Sequence, residues 1–425
     1  MKLICGPEDF AFPSGNGYLP IVVFGNAPSD EYGSVGAAVK SQIGRDRLDI
    51  PPRAWDFLAI AMSVVAADLA GDRGASPNGW TREYDVQIAV ADPQFWNTQA
   101  HTFAEMLGFL TSDRWAVSFV GNGLLPAPPA KPLHGDEDGV VLLSGGLDSL
   151  TGAIDLAASG KRLVAVSKIV NGDREKQCQF AQRIAGITRH IQFNHNANVP
   201  EPEDMPTTRG RSIAFLAFGM AAATSLAAYK DGATVPLYIC ENGFIAINPP
   251  LTGSRLGSLS TRTAHPRYLS LIQRIFDAAG LRVVVSNPCA GATKGEMLRG
   301  CLDQPLLKEL AAQSTSCGRF LRFGRRHCGR CVPCQIRRAA FLAWGQPDTT
   351  DYLFEDIGRN DSEHARYDDV RALAMAIAAA DAGGLSELVA GSLNTAQLGD
   401  ITALTDVVRR GLLEVKALHA HWNVR

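Results

Sequence analysis

The 425-residue chain has no surplus of either charge: 41 Lys and Arg stand against 43 Asp and Glu, a formal net charge of -2. That balance gives no overall pull toward nucleic acid or anionic lipid, and confines any such contact to a local patch. No apolar run reaches the roughly 20 residues that a membrane span requires. The most apolar stretch, residues 213–228, contains Thr224 and Ser225 and reads as a buried helix. Residues 1–9 meet acidic side chains and a proline before any apolar run develops, so no export signal is expected there. Nine cysteines cannot all pair within one chain. Four of them crowd between Cys317 and Cys334, and a reduced, cytoplasmic setting accounts for them better than a secreted disulfide framework. There is no internal repeat, no coiled-coil heptad and no Walker loop, whose long glycine spacing and Gly-Lys-Ser/Thr ending are missing.

What is present fits an α/β protein: 46% hydrophobic and 20% charged residues, with length for two or three domains. Residues 1–125 read as an α+β domain of unassigned role, with strands at 18–23, 84–90 and 115–120 and helices at 55–69 and 93–110. Residues 126–139 form a proline-rich linker. From 140 to 345, strands at 140–143, 163–166, 190–193, 235–239 and 281–285 alternate with helices at 148–158, 174–185, 212–229 and 267–279. Such crossovers make a Rossmann-like parallel sheet covered on both faces, with ligands at the carboxyl ends of its strands. Residues 346–425 read as a helical tail, with helices at 367–382, 385–393 and 401–418.

The sharpest motif follows the strand at 140–143. It is Ser144-Gly145-Gly146-Leu147-Asp148-Ser149, and a helix begins at Asp148. The glycines let backbone approach an anion, and the free amides of the helix start offer it donors and positive potential. Ser144 and Ser149 add hydroxyls, while the Asp148 carboxylate suits Mg²⁺ beside phosphate better than phosphate itself. Asp148 is therefore expected to matter for chemistry and hardly for folding.

Cys317, then Cys328-Gly329-Arg330-Cys331-Val332-Pro333-Cys334, supplies four thiolates. That number closes a tetrahedral zinc site of structural type, and four thiolates equally satisfy a [4Fe-4S] cluster. Arg209 and Arg211 precede the longest apolar helix; arginines are unfavourable to a helix start, so phosphate, a substrate carboxylate or an acidic side chain should pair with them. Glu241, Asn242, Gly243 and Phe244 end a strand where a ligand is expected. Glu241 there could accept hydrogen bonds from a guanine-like edge, and Phe244 could stack on a ring.

The glycine motif resembles the PP-loop of ATP pyrophosphatases, which split ATP between the α and β phosphates. Combined with the cysteine cluster, residues 138–345 resemble the 7-cyano-7-deazaguanine synthases, and more narrowly the QueC-like proteins of bacterial anti-phage gene sets. Ser316-Cys317, Cys328 to Cys334, Arg337 and Phe341 match the synthases' cysteine pattern, which implies Zn²⁺. Arg211 falls on the arginine of their Arg-Asn pair, with Ser212 replacing the asparagine. Lys294, in Thr293-Lys294-Gly295-Glu296, matches the lysine of their Thr-Lys-x-Glu, which looks placed to neutralise the triphosphate. Of their Phe-Asp-Tyr-Gly-Gln-Arg, only Gly172 and Arg174 remain, so Arg174 is carried over as a substrate contact.

The resemblance implies ATP and Mg²⁺ and a deazapurine carboxylate, with Asp148, Lys294 and Arg211 catalytic. The activated group would pass to an amine, which is either ammonia, giving a nitrile, or the amine of a protein partner from the same defence genes. A nucleotide-binding scaffold in a defence complex is the other reading. The local basic residues Arg319, Arg322, Arg325, Arg326 and His327 are the best candidates for a nucleic-acid contact, which the net charge does not favour.

Overall fold

The fold comes from a computed structural model of the chain, which describes all residues except 14, 16, 171, 203–208, 253–261, 359–368, 396, 397, 399 and 425. The start of the helix anticipated at 367–382 therefore lies outside the described residues.

The first 125 residues build a sheet of β1 (Lys2–Gly6), β2 (Leu19–Gly25), β3 (Gly33–Gly36), β4 (Glu83–Ala89) and β5 (Arg114–Val120). Its helices are α1 (Ala37–Arg45), α2 (Pro52–Ala70), α3 (Pro93–Thr98) and α4 (Ala100–Thr111). The order is β3-β2-β1-β4-β5 and every pairing is parallel. This corrects the expected α+β unit to α/β. The central strand is β1, whose few residues gave little pattern. Helical crossovers join β3 to β4 and β4 to β5, which forces parallel pairing.

A second sheet follows: β6 (Gly139–Leu142), β7 (Leu163–Lys168), β8 (Ile187–Phe193), β9 (Val235–Tyr238) and β10 (Val283–Ser286). Between its strands run α5 (Leu147–Ala158), α6 (Arg174–Arg183), α7 (Arg211–Ala223), α8 (Ala227–Lys230), α9 (Gly243–Ile247) and α10 (Pro266–Ala278). The order β10-β9-β6-β7-β8, again wholly parallel, is the doubly wound arrangement with its reversal at β6 and β9. The helix expected at 212–229 breaks after Ala223, where the Thr224 and Ser225 hydroxyls bond back to the Ala221 carbonyl.

Helices α2 and α7 are apolar nearly all round, so each must be covered on every side. They pack on each other, and one apolar core runs through them from the first sheet to the second. After β10 come α11 (Lys294–Gly300), α12 (Gln304–Leu310) and α13 (Val332–Trp344), then α14 (Asp369–Asp381), α15 (Leu385–Leu393) and α16 (Thr402–His421). The last three close over α9 and α13 through a separate apolar cluster. Among the described residues no single helix is long and apolar enough to cross a membrane.

Candidate active site

At the reversal point the chain leaves β6 and turns through Ser144-Gly145-Gly146 into α5. Gly145 has φ +91°, a conformation that L side chains rarely adopt. The turn is stapled by its own serines: Ser149 Oγ lies 2.9 Å from Ser144 Oγ and accepts from the Ser144 amide at 3.2 Å, while Ser144 Oγ accepts from the Gly146 amide at 3.2 Å. Two further supports come from outside the motif. The Thr315 amide donates to the Gly145 carbonyl at 3.0 Å, and Gln177 Nε2 bridges the carbonyls of Ser144 and Lys168 at 3.0 and 3.1 Å.

The loop opens on a cavity of about 570 Å³, within the range of small-molecule sites. Ser144, Gly146, Leu147, Asp148, Ser149, Arg211, Glu241 and Lys294 all line it. Residues up to 150 positions apart in sequence, Ser144 and Lys294, thus meet at the carboxyl edge of one sheet.

Asp148 and Lys294 form an ion pair that is almost fully buried. Lys294 reaches Asp148 Oδ1 from the first turn of α11, whose start is fixed by a capping box between Thr293 and Glu296. Asn242 Nδ2 donates to Asp148 Oδ2 at 2.7 Å, and Glu241 shares a hydrogen bond with the same carboxylate. Burial opposes ionisation of Asp148, but the Lys294 charge and these hydrogen bonds outweigh it and hold the pKa down to about 2. Glu241 responds in the opposite sense: burial, then the Asp148 charge beside it, raise its carboxyl well above the ordinary value. Glu241 is therefore the protonated member that donates to Asp148, not the free carboxylate anticipated for a guanine edge. Both oxygens of Asp148 have protein donors, so Mg²⁺ at Asp148 would have to displace one of them.

The other expected contacts go elsewhere. Arg209 is buried against the first sheet, with Nη1 3.2 Å from Ser112 Oγ, in a network of Arg73, Arg82, Asp68 and Asp113. Asn242 caps α9, accepting from the Ile245 amide at 3.1 Å. Gly243 sits where a Cβ would fall 2.1 Å from the Ala290 carbonyl oxygen. Phe244 packs in the apolar cluster of α16, against Gly411 and Val407, away from the cavity lining, because the closing C-terminal helices take it as core. Arg174 is exposed at the start of α6, and its carbonyl accepts from Gln192.

Sequence reading passed over Lys168 and Glu414 here, and named Arg337 only as part of the cysteine pattern. Lys168 lines the cavity from the end of β7, and burial, then the Arg211 charge, pull its pKa down to about 7. The available signal was a lysine ending an otherwise apolar strand. Arg337, wholly buried, holds the loop bearing Thr315 and Ser316: it donates to the carbonyls of Ala311 and Ser314 at 2.7 and 3.2 Å and to Ser316 Oγ at 3.1 Å. Glu414 of α16 braces the start of α11, accepting from the Thr293 hydroxyl and from the Gly295 amide at 3.2 Å.

The four cysteine sulfurs lie within 4.8 Å of one another and are buried. Cys328 and Cys334 are 3.9 Å apart, Cys317 and Cys331 3.8 Å. One tetrahedral ion with sulfur bonds of about 2.3 Å sets its ligands about 3.8 Å apart. Hydrogen bonds from Cys317, Cys331 and Cys334 hold the Cys328 thiol far below its ordinary range, while hydrogen bonds within the same cluster push the Cys331 and Cys334 thiols up. These residues could hold one metal ion. The centre ties the loop at Cys317 to the start of α13, within reach of the cavity wall at Ser316, Gly318 and Pro333.

Two parallel sheets with flanking helices, and a glycine loop at the reversal point of the second, fit a Rossmann-like fold of the PP-loop type. No protein-family profile matches the chain. Among curated proteins it is similar to 7-cyano-7-deazaguanine synthases. That of Cupriavidus necator is 30% identical over 240 residues, covering 50% of this chain and 96% of the relative. That of Rhizobium johnstonii is 28% identical over 246 residues, 51% and 93% respectively, and that of Ectopseudomonas mendocina 26% over 244 residues, 51% and 99%. The chain belongs to the 7-cyano-7-deazaguanine synthase family. Membership supports an ATP-dependent, ligase-type chemistry in general.

Proposed function

We propose that the cavity adenylates a carboxylate of the 7-carboxy-7-deazaguanine kind and that the acyl group then passes to an amine. The carrying observation is the convergence of the Ser144–Ser149 loop, the buried Asp148–Lys294 pair, Glu241 and Arg211 on one cavity. A carboxylate oxygen attacks the α phosphorus of ATP and pyrophosphate leaves. The loop amides take the departing anion, Lys294 offsets its growing charge, and Arg211 faces the reacting phosphate and carboxylate. Asp148 pairs with Lys294 and aims it, and Mg²⁺ bound to the nucleotide would share the neutralisation. The amine nitrogen then attacks the acyl carbon of the adenylate, AMP leaves, and the nitrogen gives up a proton.

The acceptor we favour is the amine of a partner protein, in the role of the QueC-like component of the Qat anti-phage system. The departures from the synthase pattern at residues 169–174 and 241–244 support this choice. The names of the relatives support a second reading, capture of ammonia and a second adenylation to the nitrile. In either case the four cysteines hold one Zn²⁺ in a closed, structural shell.

The test is mass spectrometry after incubation with ATP, Mg²⁺ and 7-carboxy-7-deazaguanine, with and without ammonia or partner protein. Substrate-dependent AMP and pyrophosphate are expected, with one deazapurine acyl mass on the partner. No AMP under any condition refutes adenylation. Full conversion to nitrile beside an unmodified partner refutes transfer to protein.

A further inference from the structure

Two cations meet in the cavity wall, and among the described residues no acid answers them. Lys168 ends β7 and is 9% exposed; Arg211 opens α7; both line the cavity. Among the described residues neither side chain has a hydrogen-bond or ion-pair partner. The imidazole of His195 stands close enough that burial, then Lys168 and Arg211, hold it neutral, and its Nδ1 is buried with no partner either.

Keeping an unpaired ammonium away from water, beside a guanidinium, is costly. Elsewhere this chain pays attention to such charges: Lys294 has Asp148, and the buried Arg82 has Asp68 and Asp113. Lys168 and Arg211 have no such partner among the described residues, and they stand where a bound reactant could supply the missing charge. Strands β7 and β9 flank β6, so Lys168 and Arg211 stand on one side of the phosphate loop while Asp148, Glu241 and Lys294 stand on the other. The loop's own donors serve an anion at the start of α5. The Lys168 side is a different wall of the same cavity.

We propose that Lys168 and Arg211 form a second oxyanion subsite, separate from the Ser144–Ser149 loop, which takes a phosphate-monoester or carboxylate group of a bound reactant. The inference rests on the adenylation reading and adds Lys168 to it as a binding residue. An ammonium and a guanidinium side by side suit one shared oxyanion: the fork can bind two oxygens, and the ammonium serves as a compact point charge. The anion's source is either the α phosphate of the nucleotide or the carboxylate of the acid to be activated.

Calorimetric titration of the full chain separates these sources. Wild type, Lys168→Met and Lys168→Arg are titrated with pyrophosphate, with AMP, with 7-carboxy-7-deazaguanine and with its uncharged amide. Lys168→Met should weaken AMP, the acid, or both by about tenfold or more, and Lys168→Arg should restore much of the loss. Pyrophosphate and the amide should change by less than about threefold. Loss confined to AMP assigns the α phosphate, and loss confined to the acid assigns the carboxylate. Because the methionine removes an unpaired buried charge, its urea midpoint should hold or rise, which a structural lysine would not allow. Unchanged affinity for both AMP and the acid, or equal loss for all four probes, overturns the subsite. Wild type that binds no nucleotide sinks the adenylation reading, and the acid and amide titrations still decide the subsite.

Discussion

Replacing Asp148 by Asn tests how the site is built, because the side chain both lines the cavity and is half of a buried ion pair. Asp148 is 4% exposed and Lys294 6%, so solvent screens the pair little. Its pKa falls from the ordinary 3.8 to about 2, and a shift of that size corresponds to ~2.5 kcal/mol of stability at neutral pH. Asn keeps a partner for Asn242 but leaves the Lys294 ammonium buried beside a neutral amide; breaking such a pair costs ~3–5 kcal/mol. Asp148→Asn should therefore lose roughly 3 kcal/mol, contrary to the expectation from sequence that it hardly affects folding. The folded-state pKa is depressed, so the contribution is complete above about pH 4 and is lost as pH falls through about 2. Urea denaturation of wild type and variant should show curves separated at pH 7 and converging toward pH 2. Lys294→Met combined with Asp148→Asn should cost clearly less than the sum of the single changes. A variant within about 0.5 kcal/mol of wild type at pH 7, or strict additivity in the double variant, would refute the reasoning.

Three further outcomes follow from the same geometry. Glu241→Gln should fold as well as wild type at pH 7 or better, since Glu241 is held protonated; wild-type stability should decline as pH rises above about 4.5, and the variant should lose that slope in urea titrations across pH. Gly145→Ala meets no atom closer than 3.6 Å, so its penalty is the positive φ, ~1 kcal/mol or more; pyrophosphate affinity should fall severalfold, and an unchanged affinity would dissociate the turn from anion binding. Cys331→Ser should lose one equivalent of zinc per chain and much of its soluble yield, and elemental analysis giving iron with acid-labile sulfide would assign a cluster instead.

The sequence by itself determined what depends on local pattern. The second sheet was legible because β6 to β10 are short Val- and Ile-rich runs separated by helix-length segments, and parallel crossovers leave few ways to arrange them. The strand-to-helix glycine turn and the clustering of the four cysteines were legible because both are set by spacing along the chain: a tight turn there needs glycine at a positive φ, and thiols on a short tether come together. Only the tertiary structure decided how distant segments share space. It placed Lys294 on Asp148, it buried Glu241 beside the Asp148 charge, which raises the Glu241 carboxyl, and it brought Lys168 beside Arg211. It also drew Phe244 into the core beneath α16 and turned Arg209 toward the first sheet. Burial and charge pairing are properties of neighbours in space. No spacing along the chain records them, because the partners lie on elements that meet only when the sheets and the closing helices have packed.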